Sequence, residues 1–85
     1  MLSKDLVKGM RVVLKNGWEA DVMAKPKGTR IFLKVYGFET EMGDCWLKDV
    51  ATVVTPAGRY EALELNDKQK KEAEKIAKLE AMIYS

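Results

Sequence analysis

Apolar and polar residues alternate with period two on both sides of Asn16-Gly17. Met10, Val12 and Leu14 alternate with Arg11 and Lys15, then Trp18, Ala20, Val22 and Ala24 alternate with Glu19, Asp21 and Lys25. Such alternation marks two half-buried strands, and the Asn-Gly step between them marks a hairpin turn. A two-residue loop would pair Leu14 with Glu19, placing Glu19 and Asp21 on the face of Val12 and Leu14, because a one-residue shift flips every side chain. A three-residue loop Lys15-Asn16-Gly17, with Gly17 left-handed, instead pairs Leu14 with Trp18, Val12 with Ala20 and Met10 with Val22. The apolar residues then share one face.

The same patterning extends through the chain. Ser3 to Val7 reads as one helical turn capped by Ser3, with Leu6 and Val7 as a lid over the core, before Gly9 releases the chain into the first strand. Lys25-Pro26-Lys27-Gly28 is turn chemistry, since Pro26 cannot donate to a ladder and Gly28 tolerates positive φ. Thr29 to Tyr36 is the next strand, with Ile31, Leu33 and Val35 on the core side and Arg30, Phe32, Lys34 and Tyr36 on the other. Gly37 to Gly43 reads as a loop or bulged edge bent at both glycines, Asp44 to Leu47 as a short strand, and Lys48-Asp49-Val50 as a tight turn. Ala51 to Thr55 is a further strand, Pro56-Ala57-Gly58 a reversal, and Arg59 to Leu65 a final strand whose end loses its phase at Leu63 and Leu65. Asn66 with Gln69 forms a capping box, and Asp67 to Tyr84 is free of glycine and proline. Ala73, Ile76, Leu79 (with Ala77 beside it) and Ile83 recur at helical spacing and form one apolar stripe, while Lys70 with Glu74 and Glu74 with Lys78 stand four apart. The organisation predicted is a β-domain over residues 1–65 and an amphipathic helix over 66–85, packed on that domain or on a partner chain.

Composition narrows the functional classes. Eighty-five residues, 47% hydrophobic and 33% charged, suit one small folded domain with a single modest core. One cysteine, Cys45, cannot form an internal disulfide, and the N-terminus lacks the apolar run of a secretory signal, so the cytoplasm is the expected compartment. No window approaches the length of a membrane span. A net charge of +2 points to nucleic acid only if the basic residues cluster.

Catalytic equipment is sparse. The chain has no histidine, the commonest general base and metal ligand, and one cysteine cannot build a structural zinc site. Cys45, followed by Trp46 in a strand, reads as a small buried hydrophobe. Glu39 and Glu41 read as solvated loop carboxylates with no nucleophile beside them. The glycines fall one per turn and never as a phosphate-binding run. No catalytic residue, cofactor site or metal site is expected.

The alternating row Arg30, Phe32, Lys34 and Tyr36, with Lys25 and Lys27 at the adjoining turn, is the one candidate binding face. Cations beside rings suit single-stranded nucleic acid, where charges meet phosphates and rings meet bases. They equally suit a face covered by the terminal helix, and packing of Phe32 and Tyr36 beneath the stripe of Ala73, Ile76, Leu79 and Ile83 is the expected arrangement.

Short strands, tight turns and a one-turn element before the Ala51 to Thr55 strand match the order of SH3-like barrels, and a mainly β fold of five or six short antiparallel strands plus one helix is expected. The runs LVKGMRVVLKNGWEADV, KVYGFETEMG and WLKDVATV resemble a group of small tailed-bacteriophage proteins in which an R-N-G-W-E-A core, here with Lys15 at its first position, and a V-Y-G…T-E-M-G segment recur; the resemblance spans about residues 6 to 54. Lys8-Gly9-Met10-Arg11-Val12 and the Asn16-Gly17 turn are also similar to KOW-type SH3-like modules, although Trp18-Glu19-Ala20 stands where those carry a second glycine. Glu19 and Asp21 oppose phosphate binding on that hairpin. The phage resemblance implies a non-enzymatic protein that docks on a host macromolecule, a host protein first, to inhibit or modulate it. The alternative is a nucleic-acid-binding module, and a homodimer joined through the helix is a third possibility.

Overall fold

The structure, a computed structural model, describes residues 1 to 84. Six strands form one antiparallel sheet in the order β4-β3-β2-β1-β5-β6: β1 (Arg11–Leu14), β2 (Glu19–Val22), β3 (Arg30–Tyr36), β4 (Thr40–Trp46), β5 (Val50–Val54) and β6 (Tyr60–Ala62). Single 3₁₀ turns at Ser3–Asp5 and Leu47–Asp49 precede β1 and β5, and helix α1 (Asp67–Tyr84) ends the chain.

The first hairpin adopts the three-residue loop. Val12 pairs with Ala20 and Arg11 with Asp21, the Leu14 N–H donates to the Trp18 carbonyl at 2.8 Å, and the Val22 N–H donates to the Met10 carbonyl at 2.8 Å. Gly17 sits at φ +92°, and the Asn16 side-chain oxygen accepts the Trp18 N–H at 3.0 Å. Gly17→Val is therefore expected to cost about 1–2 kcal/mol and Gly17→Asn less, since Asn tolerates the left-handed region. Equal losses in denaturant melts would contradict this loop.

With that register, Val12, Ala20, Val22, Ile31, Leu33 and Val53 fall on one face and are fully buried together, joined by Leu6 and Leu47 from the two 3₁₀ turns. Ser3 lies within its turn and is not the cap; its hydroxyl is buried against Gln69.

The expected closed barrel does not form: β4 and β6 remain as edges. The outer edge of β6 is occupied by the N-terminus, whose ammonium donates to the Ala62 carbonyl at 2.9 Å while the Glu64 N–H donates to the Met1 carbonyl at 2.7 Å. Leu63 and Leu65 leave the strand to pack against the core, which explains the lost phase after Ala62.

Residues 40–43, expected as loop, are strand. Val35 pairs with Glu41 and Leu33 with Gly43, continuing the β3 ladder. Thr40, Glu41 and Met42 are exposed, as an edge strand permits, so period-two burial never marks them. Neither Gly37 nor Gly43 adopts positive φ.

Helix α1 begins with the capping box: the Gln69 N–H donates to Asn66 Oδ1 at 2.8 Å, and the Asn66 N–H to Gln69 Oε1 at 3.0 Å. The buried Gln69 amide also donates to Ser3 Oγ at 2.8 Å and to the Gly28 carbonyl at 3.0 Å. Farther along, Lys48 Nζ bridges Glu80 at 3.2 Å and Asp49 at 3.1 Å. Among the described residues the pairs Lys70 with Glu74 and Glu74 with Lys78 do not close as ion pairs; the helix's ion pair to the body is made by Glu80.

These ties carry the helix over the mouth of the inner face. A hollow of about 520 Å³ between helix and body is lined by Leu47, Lys48, Val50, Leu65, Ala73 and Glu74, among others. The stripe is engaged only at its start: Ala73 and Ile76 are half-buried, whereas Leu79 is 59% and Ile83 72% exposed. The expected packing of Phe32 and Tyr36 beneath that stripe is thus overturned. The core mouth at Leu6 and Leu47, not the outer face, recruits the helix.

Candidate nucleic-acid interface

The face opposite the core carries the candidate residues. Strand register places Arg30 opposite Trp46, Phe32 opposite Asp44, Lys34 between Met42 and Asp21, and Tyr36 between Thr40 and Glu19. This face divides into two regions of different character.

The first region is internally satisfied. Arg11 Nε donates to Asp21 Oδ1 at 2.6 Å, Arg11 also reaches Glu19 at 3.5 Å, and the Tyr36 hydroxyl donates to Asp21 Oδ2 at 2.6 Å. The Tyr36 hydroxyl, seconded by the Arg11 guanidinium, holds the Asp21 carboxyl below its usual range. The same hydrogen bond pushes the Tyr36 phenol up. Arg11 lies 5.1 Å and Lys34 5.7 Å from the Tyr36 ring centroid, so the protein's own cations already occupy this ring. Tyr36, expected in a stacking row, is instead part of this network.

The second region is the corner where β3 meets the 25–28 turn. Lys25, Lys27, Arg30 and Phe32 line one hollow of about 380 Å³ with Ala24 and Asp44. A smaller hollow of about 260 Å³, lined by Arg30, Asp44, Cys45 and Trp46, adjoins it. Arg30 stands 5.0 Å from the Trp46 ring centroid. Among the described residues, Lys25, Lys27, Arg30 and Lys34 form no ion pair. Three cations, Lys25, Lys27 and Arg30, and two half-buried rings, Phe32 and Trp46, line these hollows with a single carboxylate, Asp44.

Four of the six predicted residues therefore converge, while Lys34 lies between the corner and the Tyr36 network. Trp46 is not among the residues that the sequence pattern singles out. Its signal lies in strand register, which reading 37–43 as a loop conceals.

Cys45 packs half-buried against the core, its thiol 3.8 Å from the Gly43 carbonyl. Burial, then Asp49 and Asp44, pushes that thiol up, disfavouring the nucleophilic thiolate. Glu39 and Glu41 are exposed. Among the described residues no group of three His, Cys, Asp or Glu side chains is placed to hold a metal ion, and no helix is long and apolar enough to cross a membrane. No family model, curated protein or solved structure matches the chain.

Proposed function

We propose that the protein is a non-enzymatic binding domain that holds single-stranded nucleic acid on the corner formed by Lys25, Lys27, Arg30, Phe32 and Trp46. The observation that carries this reading is the convergence of three cations that form no ion pair among the described residues with the half-buried Phe32 ring, in a hollow that no helix residue lines. Phosphates would meet Lys25, Lys27 and Arg30, and a base would stack on Phe32 in the hollow beside them. The 3₁₀ turn ahead of β5 supports reading the open sheet as a variant of the SH3-like arrangement. The resemblance to tailed-phage proteins would place this binding in the cytoplasm of an infected host, where occupying a host macromolecule inhibits or redirects it.

Fluorescence titration of the full chain with a labelled single strand of about ten nucleotides, across a salt series, tests the proposal. Phe32→Ala is expected to weaken binding by about 1–3 kcal/mol through lost stacking. Arg30→Ala or Lys25→Ala is expected to reduce the salt slope by roughly 0.7 for each phosphate left without its cation. Tyr36→Phe should leave affinity unchanged, because its hydroxyl serves Asp21. Absence of binding at low salt would refute the proposal.

A further inference from the structure

A second aromatic site has the opposite electrostatic character. Trp18, at the exit of the first hairpin loop, and Phe38, in the β3–β4 turn, meet edge to face with centroids 5.6 Å apart and planes at 82°. Beside these rings lies a hollow of about 230 Å³, lined by Trp18, Val35, Phe38, Glu39 and Glu41. No cation lines it. Among the described residues neither glutamate forms an ion pair.

Two other rings on the sheet are matched by internal cations: Arg11 and Lys34 on Tyr36, Arg30 on Trp46. The Trp18–Phe38 corner combines two aromatic quadrupoles with two carboxylates and lacks such a cation. Phe38 is 97% exposed, so its ring adds little to the fold. Trp18 is held by a specific device: a Cβ on Gly37 would lie 2.5 Å from a carbon of the indole ring. Gly37 lacks positive φ, so close approach of the indole, not backbone conformation, is what requires glycine there.

We infer that this corner receives a lysine or arginine side chain presented by a basic segment of a partner protein, with the cation against the Trp18 and Phe38 rings and its charge met by Glu39 and Glu41. Charge complementarity selects this occupant: rings rimmed by carboxylates attract an ammonium or guanidinium and repel an acidic or phosphorylated chain. This site stands independently of the nucleic-acid corner.

The test is an NMR titration of the full chain with a peptide of alternating lysine and glycine, with a glutamate-glycine peptide and tetramethylammonium as comparison probes. The lysine peptide is expected to shift the Trp18 indole and the Phe38, Glu39 and Glu41 resonances saturably, and the glutamate peptide to leave them in place. Phe38→Ala should lower affinity about two- to fivefold with unchanged thermal stability, and Glu39→Gln with Glu41→Gln should lower it by a similar factor. Gly37→Ala, which displaces the indole without touching a ligand group, should lower it as well. Equal shifts with the glutamate peptide, or affinity indifferent to Phe38→Ala in a folded protein, would overturn the inference. Tetramethylammonium binding as tightly as the peptide would overturn docking of a protein segment.

Discussion

Leu6→Ala is expected to destabilise the protein by about 2–5 kcal/mol, the range for truncating a fully buried leucine. Leu6 is inaccessible to solvent and joins the core from the 3₁₀ turn before β1. The first residues are tied to the β6 edge of the sheet and the residues just beyond it through Met1 with Ala62 and Glu64, and to the helix through Ser3 with Gln69. The segment that carries Leu6 is therefore anchored at both the β6 edge and the start of the helix. Since a small domain has only about 5–15 kcal/mol in total, the variant should lie near the threshold of folding. Val7→Ala, at an exposed neighbour, should cost less than about 0.5 kcal/mol. Urea unfolding measures both; a loss below about 1 kcal/mol at Leu6 would mean that the turn does not seal the core.

Gln69→Ala has the second largest expected effect, about 2–4 kcal/mol, because one side chain combines a helix cap with buried tertiary hydrogen bonds. Its oxygen accepts from the Asn66 N–H, and its amide nitrogen donates to Ser3 Oγ and the Gly28 carbonyl. Removing it leaves these partners unsatisfied at the junction of turn, strand and helix. Gln69→Glu separates the two roles: it keeps the acceptor for Asn66 but cannot donate to Gly28. An intermediate loss in urea melts is expected. Indistinguishable stabilities of Gln69→Glu and the parent would show that only the cap matters.

Local rules make part of this architecture legible. Alternation around Lys15-Asn16-Gly17 identifies the hairpin and its register, and the Asn66–Gln69 box marks the start of a helix spanning Asp67–Tyr84. Both are short-range features whose determinants lie within a few residues. The first half of β4 escapes because an edge strand exposed on both sides carries no alternation. The position of the helix escapes for a different reason. The spacing of Ala73, Ile76, Leu79 and Ile83 defines a face but not the surface it meets, and the deciding contacts lie far away in sequence, from Gln69 to Ser3 and Gly28 and from Glu80 to Lys48. The candidate face is legible in β3 alone, yet its division is not. Pairing β3 with β2 brings Asp21 to the Tyr36 hydroxyl, and pairing it with β4 brings Trp46 to Arg30.

The pH response of this face follows from the same contacts. Asp21 is held below its ordinary value, so its contribution to stability is present above the usual carboxylate range and is lost as pH falls through its lowered folded value. The network with Arg11 and Tyr36 should therefore loosen in acid, as Asp21 is protonated, and again in strong base, where the Tyr36 phenol, pushed up by the same hydrogen bond, gives up the proton it donates. Binding at the Lys25, Lys27 and Arg30 corner, which uses none of these three residues, should persist while it does so.

Two-dimensional NMR of the full chain, with a single-stranded oligonucleotide added at low salt, tests the binding surface most directly. Saturable shifts confined to Lys25, Lys27, Arg30, Phe32 and the Trp46 indole, with α1 and the Trp18 indole unmoved, are the expected result. Shifts centred on the helix or on the Trp18–Phe38 corner, or no shifts at all, would contradict it.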